Sequence, residues 1–227
     1  MSEHARTGVV VAIDGPSGSG KSSTSRGVAA RLGLRYLDTG AMYRAITWWM
    51  LEHGVPVDDP AAVAARCAEP VIDSGTDPRA PTITADGTDV SEAIRRPEVT
   101  GAVSAVSAVP EVRARLLLLQ REAIDGGDIV VEGRDIGAVV APDAEVKVYL
   151  TADAAARAAR RAAEEGGSDL AATESSLLAR DRVDSTRTAS PLTMAAGAVH
   201  VDTTPYTLDE VIDLIVGLVR DGAGDRP

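Results

Sequence analysis

The run Gly15-Pro16-Ser17-Gly18-Ser19-Gly20-Lys21-Ser22 satisfies G-x-x-x-x-G-K-[ST] and lies between a short β-branched apolar stretch, residues 8–14, and a predicted helix, residues 21–32. Few sequence features constrain a fold more. A strand that turns through glycines into a helix points several backbone N–H groups and the positive helix end at one spot, which suits phosphate. In that setting Lys21 reaches the β and γ phosphates of a nucleotide, and the Ser22 hydroxyl suits Mg²⁺. The same residues fail two neighbouring patterns. Ser23 stands at the third glycine position of G-x-G-x-x-G after Gly18 and Gly20, and Ser19 stands at the last glycine position of G-x-S-x-G around Ser17. A Rossmann dehydrogenase and an α/β hydrolase both lose their main support.

Composition narrows the class further. The 227 residues are 44% hydrophobic and 25% charged, enough apolar matter for a core without disulfides. Cys67 is the single cysteine, and His4, His53 and His200 are scattered, so a cysteine scaffold or a His/Cys metal centre is not expected. A net charge of −11 repels nucleic acid, and no apolar run is long enough to span a membrane. The amino terminus lacks a charged-then-apolar leader. A soluble, cytoplasmic, monomeric protein without nucleic-acid or membrane partners is the expectation. The cations are mostly arginine, with only Lys21 and Lys147 as lysines.

Along the chain, strands are predicted at 34–38, 128–132, 146–150 and 199–202 in addition to 8–14. Gly33 suits the carboxy-terminal cap of the first helix, and a second helix is expected at 42–53, stopped by Gly54. Asp58 and Pro60 open a short helix through 69, ended by Pro70. Residues 71–90 read as a small β insertion with a hairpin at Asp86-Gly87. Helical segments are expected at 91–109, 110–125, 152–165 and 173–186. The last helix has a Thr207/Glu210 capping box and an apolar stripe from Val211 to Val219, with residues after Arg220 expected to fray. Strands alternating with helices imply a parallel sheet covered on both faces.

A phosphate loop alone fits a kinase, a GTPase switch or an ATP-driven machine. No N-K-x-D guanine signature occurs. Arg44 lies just past the second strand, and Arg134 and Asp135 follow the third in VEGRDIG, where strand ends of an open parallel sheet meet a ligand. Arg157 and Arg161, with Arg160 beside them, share a helix face, as do Arg180, Asp184 and Arg187. Pairs such as Arg160 with Glu164 allow a plain solvated surface. A phosphoryl-transfer site instead needs several such cations.

The segments IDGPSGSGKSS (13–23), LDTGAMYR (37–44), DVSEAIRRPEV (89–99), VPEVRARLLLLQR (109–121), VEGRDIGAVVAPDAEVKVYL (131–150) and ARDRVDSTRTASPL (179–192) resemble the bacterial cytidylate (CMP) kinases, members of the nucleoside monophosphate kinase family. The resemblance spans almost the whole chain. It implies an α/β P-loop kinase core with a five-stranded parallel sheet in the order 2-3-1-4-5, at residues 8–40, 110–151 and 190–220. A monophosphate-binding region carrying the β insertion (41–109) and a lid (152–189) complete the single domain.

The resemblance also implies roles. Residues Gly15, Pro16, Ser17, Gly18, Ser19, Gly20, Lys21, Ser22 and Ser23 would bind ATP, the phosphoryl donor. Thr39, Tyr43 and Arg44 would line the acceptor site, with Arg44, Arg134 and Arg187 on the acceptor phosphate. Ser104, Arg113 and Asp135 would read cytosine, and Arg180 and Asp184 would hold the ribose. Arg157 and Arg161 would belong to the lid and act, with Lys21 and Arg134, in catalysis. Ser22 would ligate Mg²⁺, and Glu132, where the family usually carries Asp, would reach it through water. The implied activity is transfer of the γ-phosphoryl of Mg-ATP to CMP or dCMP. A P-loop kinase for another small acceptor, or a nonenzymatic nucleotide-binding switch, stands as the alternative.

Overall fold

The computed structural model describes residues 8–164, 167, 169–186 and 192–224. Five strands form one all-parallel sheet: β1 (Val10–Asp14), β2 (Arg35–Asp38), β6 (Ile129–Gly133), β7 (Val146–Thr151) and β8 (Val199–Asp202), ordered β2-β6-β1-β7-β8. This is the order 2-3-1-4-5 when only the sheet strands are counted. The central strand β1 is buried throughout, as a strand covered on both faces must be.

Alternation along β1 splits the core in two. Val11 and Ile13 pack with Val28 and Ala29 of α1 (Lys21–Leu32) and with Ile212 and Ile215 of α8 (Leu208–Gly224). Val10 and Ala12 face the other layer, with Met42 and Ile46 of α2 (Thr39–Glu52) and Val112 and Leu116 of α5 (Pro110–Ile124). Helices α3 (Pro60–Arg66) and α4 (Pro97–Ala108) and the antiparallel ribbon β3 (Ile72–Ser74), β4 (Ile83–Ala85) and β5 (Thr88–Asp89) extend that second layer. Helices α6 (Ala154–Glu164) and α7 (Leu170–Thr186) pack against each other above the carboxyl ends of the strands.

Several boundaries differ from the sequence expectation for local reasons. Helix α2 starts at Thr39, three residues ahead of Met42, because the Asp38 side chain accepts from Ala41 N–H at 2.9 Å as its cap. Asp59, not Asp58, caps α3, which ends at Arg66 where Arg66 turns to pair with Glu69. Residues 91–109 divide into a 3₁₀ turn, Ala93–Arg95, and α4, with Pro97 in its first turn. A π-helical turn, Ile136–Val140, follows β6 without any periodic signal to announce it. Helix α7 begins three residues early, and α8 runs on to Gly224 instead of ending at Arg220. The Asp86-Gly87 hairpin forms as expected, with φ of 50° and 76°. The capping box at Thr207 and Glu210 forms too. Among the described residues no helix is long and apolar enough to cross a membrane.

Two glycines make the backbone demands of this fold measurable. Gly15 has φ 150°, and a Cβ there would strike the Leu150 carbonyl oxygen of β7; Gly33, at φ 68°, meets nothing within 4 Å. Gly33→Ala should cost about 1 kcal/mol, the left-handed penalty alone, whereas Gly15→Ala should cost about 3 kcal/mol or more because the backbone must also move. Urea unfolding of both variants checks this. Equal losses would show that β7 does not press on the loop.

Candidate active site

The phosphate loop leaves the end of β1 and enters α1 with Gly20 in the left-handed conformation. Lys21 opens the helix, is buried, and donates from Nζ to the Pro16 carbonyl at 2.6 Å. Ser17, Gly18, Gly20, Lys21, Ser22 and Ser23 line one wall of a cleft. Gly15, Pro16 and Ser19 support the loop from beneath, Ser19 accepting at its carbonyl from the Thr203 hydroxyl at 3.3 Å.

Opposite the loop, successive strand ends and helices deliver the remaining groups. Thr39, Tyr43 and Arg44 come from α2, Ser104 from α4, Arg113 from α5, Glu132, Arg134 and Asp135 from the end of β6, Arg161 from α6, and Arg180 and Asp184 from α7. Thr39 Oγ1 donates to the Glu132 carbonyl at 2.7 Å, tying α2 to β6. Arg44 donates to the Ile94 carbonyl and the Thr100 hydroxyl, at 3.1 and 2.9 Å. Arg113 pairs with Asp135 at 2.5 Å in a buried contact and lies over the Tyr43 ring. Arg134 Nε donates to Asp184 at 3.0 Å.

Arg157 stands apart from these. It is buried but does not line the cleft; it holds the Ser17 carbonyl and the Asp181 carboxylate. Arg187 lies outside the described residues.

The floor of the cleft is a strip of carboxylate and hydroxyl oxygens. Glu132 is buried and accepts from Tyr36 OH at one oxygen and from Ser22 Oγ, at 3.0 Å, at the other. Burial, then the neighbouring Asp38, pushes its carboxyl up to about 7. Burial and Arg134 push the Lys21 ammonium down to about 7. Arg44 is lowered by burial and by Arg180 and Arg161, and Arg180 by burial and by Arg134. A cleft whose cations disfavour one another in this way suits anions, because an anion would remove both the repulsion and part of the desolvation cost.

Sequence reasoning missed several residues here. Asp14 accepts from Ile136 N–H and Gly137 N–H, both at 2.8 Å, and so sets the turn that carries Arg134 and Asp135; burial pushes its carboxyl up to about 6. Tyr36 aims Glu132, Asp38 and Arg95 line the cleft, and Asp181 accepts from Ser17 N–H at 3.2 Å. Asp38, read from the sequence as a strand end, is of a residue type that favours helix caps, the one local signal it carries. The others act across long sequence separations and leave no local trace.

Comparison with known proteins supplies the family. The family model for cytidylate kinase matches residues 11–221. Cytidylate kinase from Streptomyces griseus subsp. griseus is 62% identical over 220 residues, covering 96% of this chain and 95% of that protein. Cytidylate kinase from Streptomyces avermitilis is 60% identical over 215 residues, covering 94% and 93%. The crystal structure of an uncharacterized protein from Eubacterium ventriosum ATCC 27560 shares the fold, with a TM-score of 0.52 at 10% identity over 94% of this chain and 98% of that one. With its phosphate loop facing an arginine-lined cleft, and with sequence likeness running through both, the chain belongs to the cytidylate kinase family of phosphotransferases.

Proposed function

We propose that the protein transfers the γ-phosphoryl group of ATP to the 5′-phosphate of CMP or dCMP, giving ADP and CDP or dCDP. The observation that carries this reading is the convergence of Lys21 from one side and Arg44, Arg134, Arg161 and Arg180 from the other on a single cleft. Two polyanions that must approach each other need such a divided set of cations. In the proposed arrangement residues 15–23 hold the donor phosphates, and Arg44 and Arg134 hold the acceptor phosphate, with Arg187 as a further contact. Arg161 neutralises charge on the transferred group. Arg180 and Asp184 hold the ribose. Residues 41–109 form the acceptor-binding region and residues 152–189 the lid.

No side chain need act as a base. A phosphate monoester has a second pKa of about 6, so the acceptor arrives mostly as a dianion at neutral pH. An acceptor phosphate oxygen attacks the γ-phosphorus, the bond to the β–γ bridging oxygen breaks, and ADP takes that electron pair. Catalysis then consists of alignment, neutralisation and exclusion of water. The Ser22 hydroxyl and Glu132 carboxylate, adjacent oxygen donors at the cleft floor, fit Mg²⁺, Ser22 as a ligand and Glu132 through water. When bound, the ion neutralises charge on the donor phosphates.

The base is read, in this proposal, at the wall formed by Tyr43, Ser104, Arg113 and Asp135. Asp135 accepts from the cytosine N4 amine, while uracil would present an O4 acceptor to the same carboxylate and leave both unsatisfied. Arg113 holds that carboxylate in place.

A coupled ADP-release assay with ATP and CMP, dCMP, UMP, AMP, GMP or shikimate tests the function. CMP and dCMP should lead by a wide margin. Equal turnover across the panel, or nucleotide binding without acceptor-dependent turnover, would overturn it. Asp135→Asn can rotate its amide to donate to O4. CMP activity should fall while the CMP-to-UMP ratio of kcat/KM contracts roughly tenfold to a hundredfold. A parallel fall for both substrates would reduce Asp135 to a partner of Arg113.

A further inference from the structure

Both polar groups of the Ser17 peptide unit in the phosphate loop are held by the two helices above it. Ser17 N–H donates to Asp181 Oδ1 of α7 at 3.2 Å, and the Ser17 carbonyl accepts from Arg157 Nη1 of α6 at 2.9 Å. The same Arg157 nitrogen also donates to Asp181 Oδ2, so loop, α6 and α7 close into one ring of charge-assisted contacts. The pair is not a surface ornament: the Arg157 and Asp181 side chains are 7% and 17% exposed. Gly18 makes the approach possible, because a Cβ at that position would lie 3.1 Å from Arg157 Cβ.

Asp181 is otherwise hard to account for. A carboxylate beside a loop that binds phosphate repels the ligand, and removing it would spare that cost. Its geometry answers to the ring instead. Arg161 stands one turn beyond Arg157 on the same face of α6, and Arg180 and Asp184 flank Asp181 on α7; all three line the cleft. Fixing Arg157 and Asp181 against the loop therefore fixes how far Arg161 and Arg180 reach over the cleft.

We propose that Asp181 is a positioning residue, a latch that joins α6 and α7 to the phosphate loop through Ser17, so that Arg161 and Arg180 occupy the cleft in register with the loop. The proposal rests on the reading of the cleft as a phosphoryl-transfer site. It assigns Arg157 to the same latch, acting on the loop backbone. The contribution of the two residues is thus a single one, and the loss of either already spends it.

A double-mutant cycle on Asp181→Asn and Arg157→Ala, read in kcat and in KM for CMP with hydrogen exchange of the same proteins, tests this. Each single change should lower kcat about tenfold or more with KM for CMP within about twofold, and the double variant should fall no more than about threefold below the weaker single. Exchange in Asp181→Asn should rise over residues 154–186 and not in the central strands. Multiplicative losses in the cycle, or unchanged kcat and unchanged exchange over 154–186, would overturn the latch. A wild-type chain that does not phosphorylate CMP overturns the functional reading alone, and the exchange comparison then decides the latch by itself.

Discussion

Burial and mutual repulsion both disfavour charge on Arg44 and Arg180, and burial with the Arg134 guanidinium pushes Lys21 down to about 7. These groups do not meet by packing preference. Moving a cation from water into a cleft already holding others costs free energy, and the chain recovers only part of it through Glu132, Asp181 and Asp184. The rest of the architecture is the scaffold that keeps them together.

The sheet supplies the rigid half of that scaffold. Strand β1 is flanked on both sides and buried on both faces, so its carboxyl end can carry strain at Gly15 and a buried carboxylate at Asp14 without giving way. Asp14 in turn holds two backbone N–H groups of the turn after β6, and that turn aims Arg134 at Asp184 and Asp135 at Arg113. Tyr36 does the same for Glu132 from the opposite face of the sheet. The helical half is held differently, by charge-assisted contacts to the loop through Asp181 and Arg157.

Much of this was legible in the sequence because it is local. The loop, the bounds of α1, the Asp86-Gly87 hairpin and the Thr207/Glu210 box are each decided within a few residues, and each forms where the residues say it should. Arg44 and Arg134 were legible as candidates because they follow predicted strands, and Arg157, Arg161 and Arg180 because they share faces of predicted helices. What stayed hidden depends on distance in three dimensions. Asp14 meets residues 122 and 123 positions away, and Ser17 meets Asp181 at 164. No periodicity or turn preference encodes such a contact, so Arg157 could be placed near the phosphates but not on the loop backbone. The π-helical turn escaped for a related reason: Asp14 pins its first N–H groups from another strand.

Burial and mutual repulsion make the cations of the cleft costly to gather, and phosphates would offset that cost. Arg180→Met, read by thermal unfolding with and without CMP and a nonhydrolysable ATP analogue, tests this most directly, since Arg180 is half-buried and its Nε has no hydrogen-bond partner among the described residues. The free variant should melt no lower than the wild type, while the ligand-induced rise in Tm shrinks by more than half. A free variant that melts several degrees lower and keeps the full ligand-induced rise would contradict it.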